Sequence, residues 1–164
     1  MNKMESLFPV WDQLTQEQKQ FLNNSVTKKD VQKSTVLHRG DEDCDGLYIV
    51  ESGQLRAYII SDEGKELTLY RLFEMDMCLF SASCMLSNIQ FEVIIEAEKD
   101  TAIWIIPVLA YQKLMNTNNA VANYTNQLMA SRFTDVMWLM DQILFKGMDS
   151  RLASFLLYES NIEE

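Results

Sequence analysis

The chain has 164 residues, 48% of them hydrophobic and eight of them Phe, enough for one domain with a real core and too apolar for a disordered chain. Its 14 Lys and Arg against 24 Asp and Glu give a net charge of −10, which repels phosphate backbones, so the chain alone is not expected to bind DNA well. No apolar run approaches the ~18 residues of a membrane span, residues 1–5 do not read as a secretion signal, and the three cysteines, Cys44, Cys78 and Cys84, are expected as thiols in the cytoplasm.

From residue 9 to 24 the spacing of Trp11, Leu14, Phe21 and Leu22 predicts one or two short helices, with Asp12 or Thr15 as the cap. From 31 to 107 the pattern is mostly strand. Residues 36–41 run as a strand into a glycine turn. Residues 46–72 read as three strands punctuated by Ser52-Gly53 and Asp62-Glu63-Gly64, with β-branched and aromatic residues alternating with polar ones as half-buried strands do. Residues 80–86 are too rich in small side chains for a good strand and suggest a short helix or turn. Residues 91–97 and 101–107 are two further strands. Many short strands without helical crossovers predict an antiparallel barrel or jelly roll.

The period then changes. Between 108 and 145 only Lys113, Arg132, Asp135 and Asp141 are charged. Met129, Phe133, Val136, Met140 and Ile143 recur at helical spacing, while Leu128, Trp138, Leu139 and Leu144 fill other faces. A helix apolar on more than one side must be covered on more than one side. The barrel covers one face, and a second copy of the helix is expected to cover the Met129–Ile143 stripe as the seam of a homodimer. Gly147 is expected as a C-cap, with Asp149 or Ser150 capping a further helix over 151–158.

The order LY-x-V-x-SG-x-LR-x-Y (Leu47 to Tyr58), then D-x-G-x-E (Asp62 to Glu66), then barrel before long helix, then Arg151-Leu152-Ala153 ahead of apolar residues, resembles the Crp/Fnr family of transcription regulators. The resemblance runs from about Val31 onward. It implies a mainly β fold with α: an antiparallel jelly-roll (double-stranded β-helix) barrel with short N-terminal helices and a long C-terminal dimerisation helix. The implied division is a sensor barrel over 1–120, a dimerisation helix over 121–147 and the start of a DNA-reading domain over 148–164. Family members read DNA with a separate winged helix-turn-helix domain, so DNA contact is expected only through a domain absent from this chain, and no membrane partner is expected.

The resemblance also permits a test. Cyclic-nucleotide binders of the family carry Gly-Glu-Leu on a short helix and, about ten residues on, an Arg that pairs with the cyclic phosphate. Here residues 77–84 and 90–93 occupy that region. No Glu follows a Gly, and no Arg lies between Arg71 and Arg132. Phe91 and Glu92 stand where the phosphate Arg would be needed, and neither binds an anion. A cyclic nucleotide is therefore not the expected effector, unless Arg56, Arg71 or Arg132 enters the pocket from another element.

Other chemistries fail on ligand count. An iron–sulfur centre needs about four cysteines. A haem needs an axial His, and the sole histidine, His38, reads as a partly exposed strand-end imidazole. A metal-binding jelly-roll enzyme needs several histidines. No metal, cofactor or catalytic arrangement is expected. Cys78 and Cys84 flank the 79–83 segment. The plain reading is two buried, inert thiols; the sharper one is a redox-responsive pair facing the pocket.

Tyr70, Phe80, Ser81, Ala82, Ser83, Phe91, Val136 and Met137 are the expected pocket residues, for an apolar or aromatic small molecule. The expected function is the effector-sensing, dimerising part of a Crp/Fnr-like regulator. A thiol sensor of the same family and a stand-alone ligand-binding barrel are the alternatives.

Overall fold

The structure, a computed structural model, describes residues 3–40, 45–81 and 92–160. It opens with helix α1 (Lys3–Leu7), a 3-10 turn (Trp11–Gln13) and α2 (Gln16–Ser25). Thr15 caps α2 in a reciprocal box: its hydroxyl accepts from Gln18 N–H while the Gln18 side chain accepts from Thr15 N–H. Among the described residues eight strands follow: β1 (Thr27–Val31), β2 (Val36–His38), β3 (Leu47–Ser52), β4 (Leu55–Ile60), β5 (Glu66–Leu72), β6 (Met77–Cys78), β7 (Ile94–Ala97) and β8 (Thr101–Ile106). They form two antiparallel sheets of four, ordered β1-β8-β3-β6 and β2-β7-β4-β5. This is the jelly-roll-like, mostly antiparallel fold that the sequence predicts.

The two sheets enclose one core. It contains Tyr48 and Val50 from β3, Leu55 and Ala57 from β4, Ile95 from β7, and Ile103 from β8. A second core lies on the outer side of the first sheet. There Leu47, Ile49, Met77 and Ile106 pack against Met4, Phe8, Trp11 and Leu22 of the N-terminal elements. The helices that follow β8 close this core: α3 (Val108–Thr117), through Tyr111 and Leu114, and the first turns of α4 (Asn119–Phe145), through Val121.

Four details depart from the sequence expectation. First, β3 is buried on both faces, not half-buried, because helices cover its outer side. Second, His38 ends β2 as expected but is buried, since its strand pairs into the second sheet opposite Ile95. Third, the long helical region breaks at Asn118, whose side chain accepts from Ala120 N–H and Val121 N–H and so caps α4. Fourth, Gly147 is not a left-handed cap. α4 ends at Lys146 in extended backbone, and α5 (Met148–Ser160) starts three residues before the predicted Arg151, with Asp149 inside its first turn.

The glycine turns differ in what they tolerate. Gly53, between β3 and β4, has φ +91°, and a Cβ there would stand 2.4 Å from the Asp100 carbonyl oxygen. Gly64, between β4 and β5, has φ +78° with open space around it. Gly53→Ala is expected to cost clearly more than the ~1 kcal/mol of left-handed strain alone, and Gly64→Ala to cost only about that strain. Urea denaturation of both variants checks this; equal losses would contradict the steric account.

Candidate functional site

The long helix α4 has two unlike halves. Its first three turns are tied down. Val121 is buried, and Thr125 shares a 2.7 Å hydrogen bond with the Tyr111 hydroxyl while donating to the Val121 carbonyl. Burial pushes the Tyr111 phenol up to about 12, so it stays protonated. The second half presents a face of Arg132, Asp135, Leu139 and Gln142, at helical spacing, toward the barrel.

Arg132 is the junction. One guanidinium nitrogen donates to Asp135 at 3.2 Å, the other to Asp76 at 3.4 Å, and the group lies 4.8 Å from the centre of the Tyr70 ring. Asp76, in the turn between β5 and β6, uses its other carboxylate oxygen to accept from Phe73 N–H at 2.9 Å. Burial pulls the Arg132 guanidinium down, but Asp76, Tyr70 and Asp135 outweigh it and raise it above its ordinary value. Beneath it, Tyr70 stacks on Phe80 with ring centres 5.9 Å apart. Burial, with Cys78 next in effect, pushes the Tyr70 phenol well up.

Above this junction runs a groove of about 680 Å³ between β5, α4 and α5. Leu69, Phe73, Trp138, Leu139, Ile143 and Phe155 give it an apolar wall, and Tyr70, Arg132 and Gln142 give it polar points. The Tyr70 hydroxyl, Arg132 Nε and Gln142 Oε1 are buried and have no hydrogen-bond partner among the described residues. Among those residues, no group of three or more His, Cys, Asp or Glu side chains is arranged to hold a metal.

The expected pocket residues divide. Tyr70 lines the groove, and Phe80 supports Tyr70 from below. Ser81 is fully buried. Its hydroxyl donates to the Cys78 carbonyl and accepts from Tyr48 N–H, so it splices β6 to β3. Val136 is half-buried and Met137 exposed, and the groove wall on this helix is formed by their neighbours Asp135, Trp138 and Leu139. Ala82, Ser83, Cys84 and Phe91 lie outside the described residues, as does Cys44. Cys78 is fully buried inside the barrel; burial pushes its thiol up, and hydrogen bonds at Ser81 only partly oppose this.

Of the stripe residues, Met129, Phe133 and Met140 are exposed and Val136 is half-buried. Ile143 is exposed and also borders the groove. Of the three arginines considered as substitute cations, Arg132 and Arg71 reach the groove. Arg71 is paired with Glu98 at 2.8 Å, and Arg56 stands between Glu66 and Glu96.

Asp76, Gln142 and Phe155 were not singled out by the sequence. The available signal was Arg132 itself, a lone cation in an apolar helix with Asp135 three residues on, which demands a partner across the fold.

The architecture is that of a known class of domain: residues 28–118, more than half of the chain, match the family described as "Cyclic nucleotide-binding domain". A structure described as a transcriptional regulator of the Crp/Fnr family from Eubacterium rectale ATCC 33656 is 57% identical, with a TM-score of 0.91, over 97% of this chain and 74% of that one. The chain belongs to the Crp/Fnr family of transcription regulators. The "Fumarate and nitrate reduction regulatory protein" of Yersinia pestis is 26% identical over 132 residues, 79% of this chain but 50% of that protein, so the chain spans about half of this curated relative. The sensor domain of the transcriptional regulator DNR from Pseudomonas aeruginosa shares the fold at 20% identity, with a TM-score of 0.64 over 89% of this chain and 97% of that one.

The Arg132–Asp76 contact is expected to hold the second half of α4 on the barrel. Arg132→Met keeps the length of the side chain and removes its charge. It should lower stability by about 1–2 kcal/mol, between the values for an exposed pair and a charged hydrogen bond. An unchanged urea midpoint would show that the pair holds nothing.

Proposed function

We propose that this chain is the sensing and dimerising part of its regulator, and that a small apolar or aromatic effector binds in the groove between β5, α4 and α5. One observation carries the reading: a single cavity is walled by the barrel, the long helix and α5 at once. A molecule that binds one arrangement of these three elements better than another shifts the population toward it. The shift travels along α4 and α5 to a DNA-reading part outside this chain, whose net charge of −10 keeps the sensor itself off DNA. The division into barrel (1–120), dimerisation helix (121–147) and start of the DNA-reading domain (148–164) follows this reading, as does a cytoplasmic, non-enzymatic role. Full burial of Cys78 weighs against the thiol alternative.

Cyclic nucleotides fit the groove poorly. Each of the three arginines considered from the sequence is already paired with a carboxylate: Arg132 with Asp76 and Asp135, Arg71 with Glu98, Arg56 with Glu66 and Glu96. Losing two charge-assisted bonds to a phosphate costs about 3–6 kcal/mol. At ~1.4 kcal/mol per tenfold, that moves a micromolar binder to about the millimolar range. A thermal-shift screen should therefore find stabilisation by small aromatic molecules, about 2.7 kcal/mol at ~100 times Kd. Leu139→Lys, which puts a charge in the groove wall, should abolish it. Cyclic AMP and cyclic GMP should give no shift at micromolar concentration; a micromolar complex with either overturns the effector class.

The homodimer rests on the apolar stripe that α4 turns away from the barrel. Phe133 is 67% exposed and Met140 46%, a large apolar surface for a soluble helix. Paired across a two-fold axis, these side chains cover one another. Phe133→Glu with Met140→Glu should convert a dimer into a folded monomer in analytical ultracentrifugation at tens of micromolar, because each charge would be buried unpaired. A wild-type chain that sediments as a monomer would refute the seam.

A further inference from the structure

Of the polar residues that line the groove, three carry a buried side-chain atom without a partner among the described residues, and these three sit at two places along the groove's length. At one end the Tyr70 hydroxyl and Arg132 Nε are buried donors without a partner among the described residues. At the other, ten residues and about 15 Å further along α4, Gln142 Oε1 is a buried acceptor without one. Tyr70 and Gln142 are only 6% and 9% exposed, so bulk water does not serve them freely. Between the two ends the helix offers Trp138 and Leu139, and Phe155 of α5 shares the wall. Trp138 is 49% exposed without an occupant.

The charge of the occupant follows from Arg132. Both of its terminal nitrogens are committed, one to Asp76 and one to Asp135, so the local sum of these three groups is one negative charge. At this end of the groove an anion would meet Asp76 and Asp135 beside an Arg132 already paired with both, and a cation would meet Arg132. Of the other lining arginines, Arg71 is paired with Glu98 and Arg151 belongs to α5. A neutral molecule meets neither penalty and uses the Nε–H, whose nitrogen has no partner among the described residues.

We propose that the groove takes an elongated, neutral, two-ring aromatic molecule with a carbonyl oxygen at one end and a phenolic or N–H donor at the other. The carbonyl accepts from Tyr70 and Arg132, the donor serves Gln142, and the rings lie against Trp138. This rests on the reading of the groove as the effector site and adds the chemical class and the orientation.

The probe is 4-acetyl-4′-hydroxybiphenyl, followed by NMR titration of the Trp138 indole N–H. Its comparators are 4-acetylbiphenyl, which lacks the donor, 4-hydroxybiphenyl, which lacks the carbonyl, and 4′-hydroxybiphenyl-4-carboxylate, which puts an anion in its place. The bifunctional neutral probe should bind about tenfold more tightly than each comparator, the weight of one hydrogen bond. Gln142→Leu should weaken only the phenol-bearing probes, and Tyr70→Phe only the ketone-bearing ones. Tyr70→Phe deletes only an unpartnered buried hydroxyl, so that unliganded variant should be as stable as wild type or more so; Gln142→Leu also removes the 3.3 Å bond from Gln142 Nε2 to Asp141 and should cost no more than that one bond.

Tighter binding of the carboxylate, or variants that do not discriminate among the probes, would overturn the ligand class while leaving the groove as the effector site. If no probe moves the Trp138 signal, the effector-site reading falls with it. A loss of stability in unliganded Tyr70→Phe, or one in Gln142→Leu larger than a single hydrogen bond, would mean that these atoms are already satisfied and await no ligand.

Discussion

Strand β3 carries large apolar side chains on both faces, and the rest of the architecture answers that constraint. Tyr48 and Val50 point into the barrel, while Leu47 and Ile49 point out of it. Each such side chain is worth about 1.5–3 kcal/mol when fully buried, so neither face is left to water. The second sheet covers one face. The N-terminal helices, α3 and the base of α4 cover the other. The helical layer is therefore a structural necessity of the sheet, and the long helix is rooted in it. Tyr48 joins the two requirements further: its hydroxyl donates to the Leu37 carbonyl across the barrel, and its backbone N–H donates to Ser81.

Rooting only one end of α4 leaves its two halves unlike. Residues up to about Leu128 share the helical core. Beyond them the helix touches the barrel mainly through polar and amphipathic groups. Arg132 bridges to Asp76, and an apolar groove opens above that bridge. A buried charge held by two partly exposed carboxylates is a contact of modest strength, because the cost of desolvation offsets most of the Coulombic gain. The interface between barrel and helix is thus tight where it supports the fold and weak where it meets the groove, the arrangement a responsive element needs.

Much of this was legible in the chain. The three strands of 46–72, the turn glycines, the late switch to helical period and the Thr15 cap all express local rules of backbone and periodicity, and the fold class follows from their order. What escaped reading was non-local. The double burial of β3 depends on a helical layer far away in sequence. The break at Asn118 shows only weakly, because Asn is a plausible surface residue as well as a cap. Gln142 looks solvated by type, yet it is buried on the groove where β5, α4 and α5 meet, which its neighbours do not announce. The partnership of Arg132 with Asp76 spans 56 residues; the lone arginine signals a need for a partner without saying where it lies. Of the expected pocket residues Tyr70 lines the groove, which also draws on the turn after β5 and on α5, elements that local pattern does not bring together.

Asn118 has a mechanical consequence. Besides capping α4, its side-chain amide donates to the Gln13 carbonyl and to Gln18, which pins the foot of the helix to the N-terminal elements. The 27 residues of α4 extend about 40 Å from that foot at 1.5 Å per residue. The helix is then a rod clamped at one end. A tilt of about 5° at the foot carries the far end by roughly 3.5 Å over that length, more than half of a helical turn. A rearrangement too small to disturb the clamp thus becomes, where α5 begins, a displacement large enough to separate one packing from another.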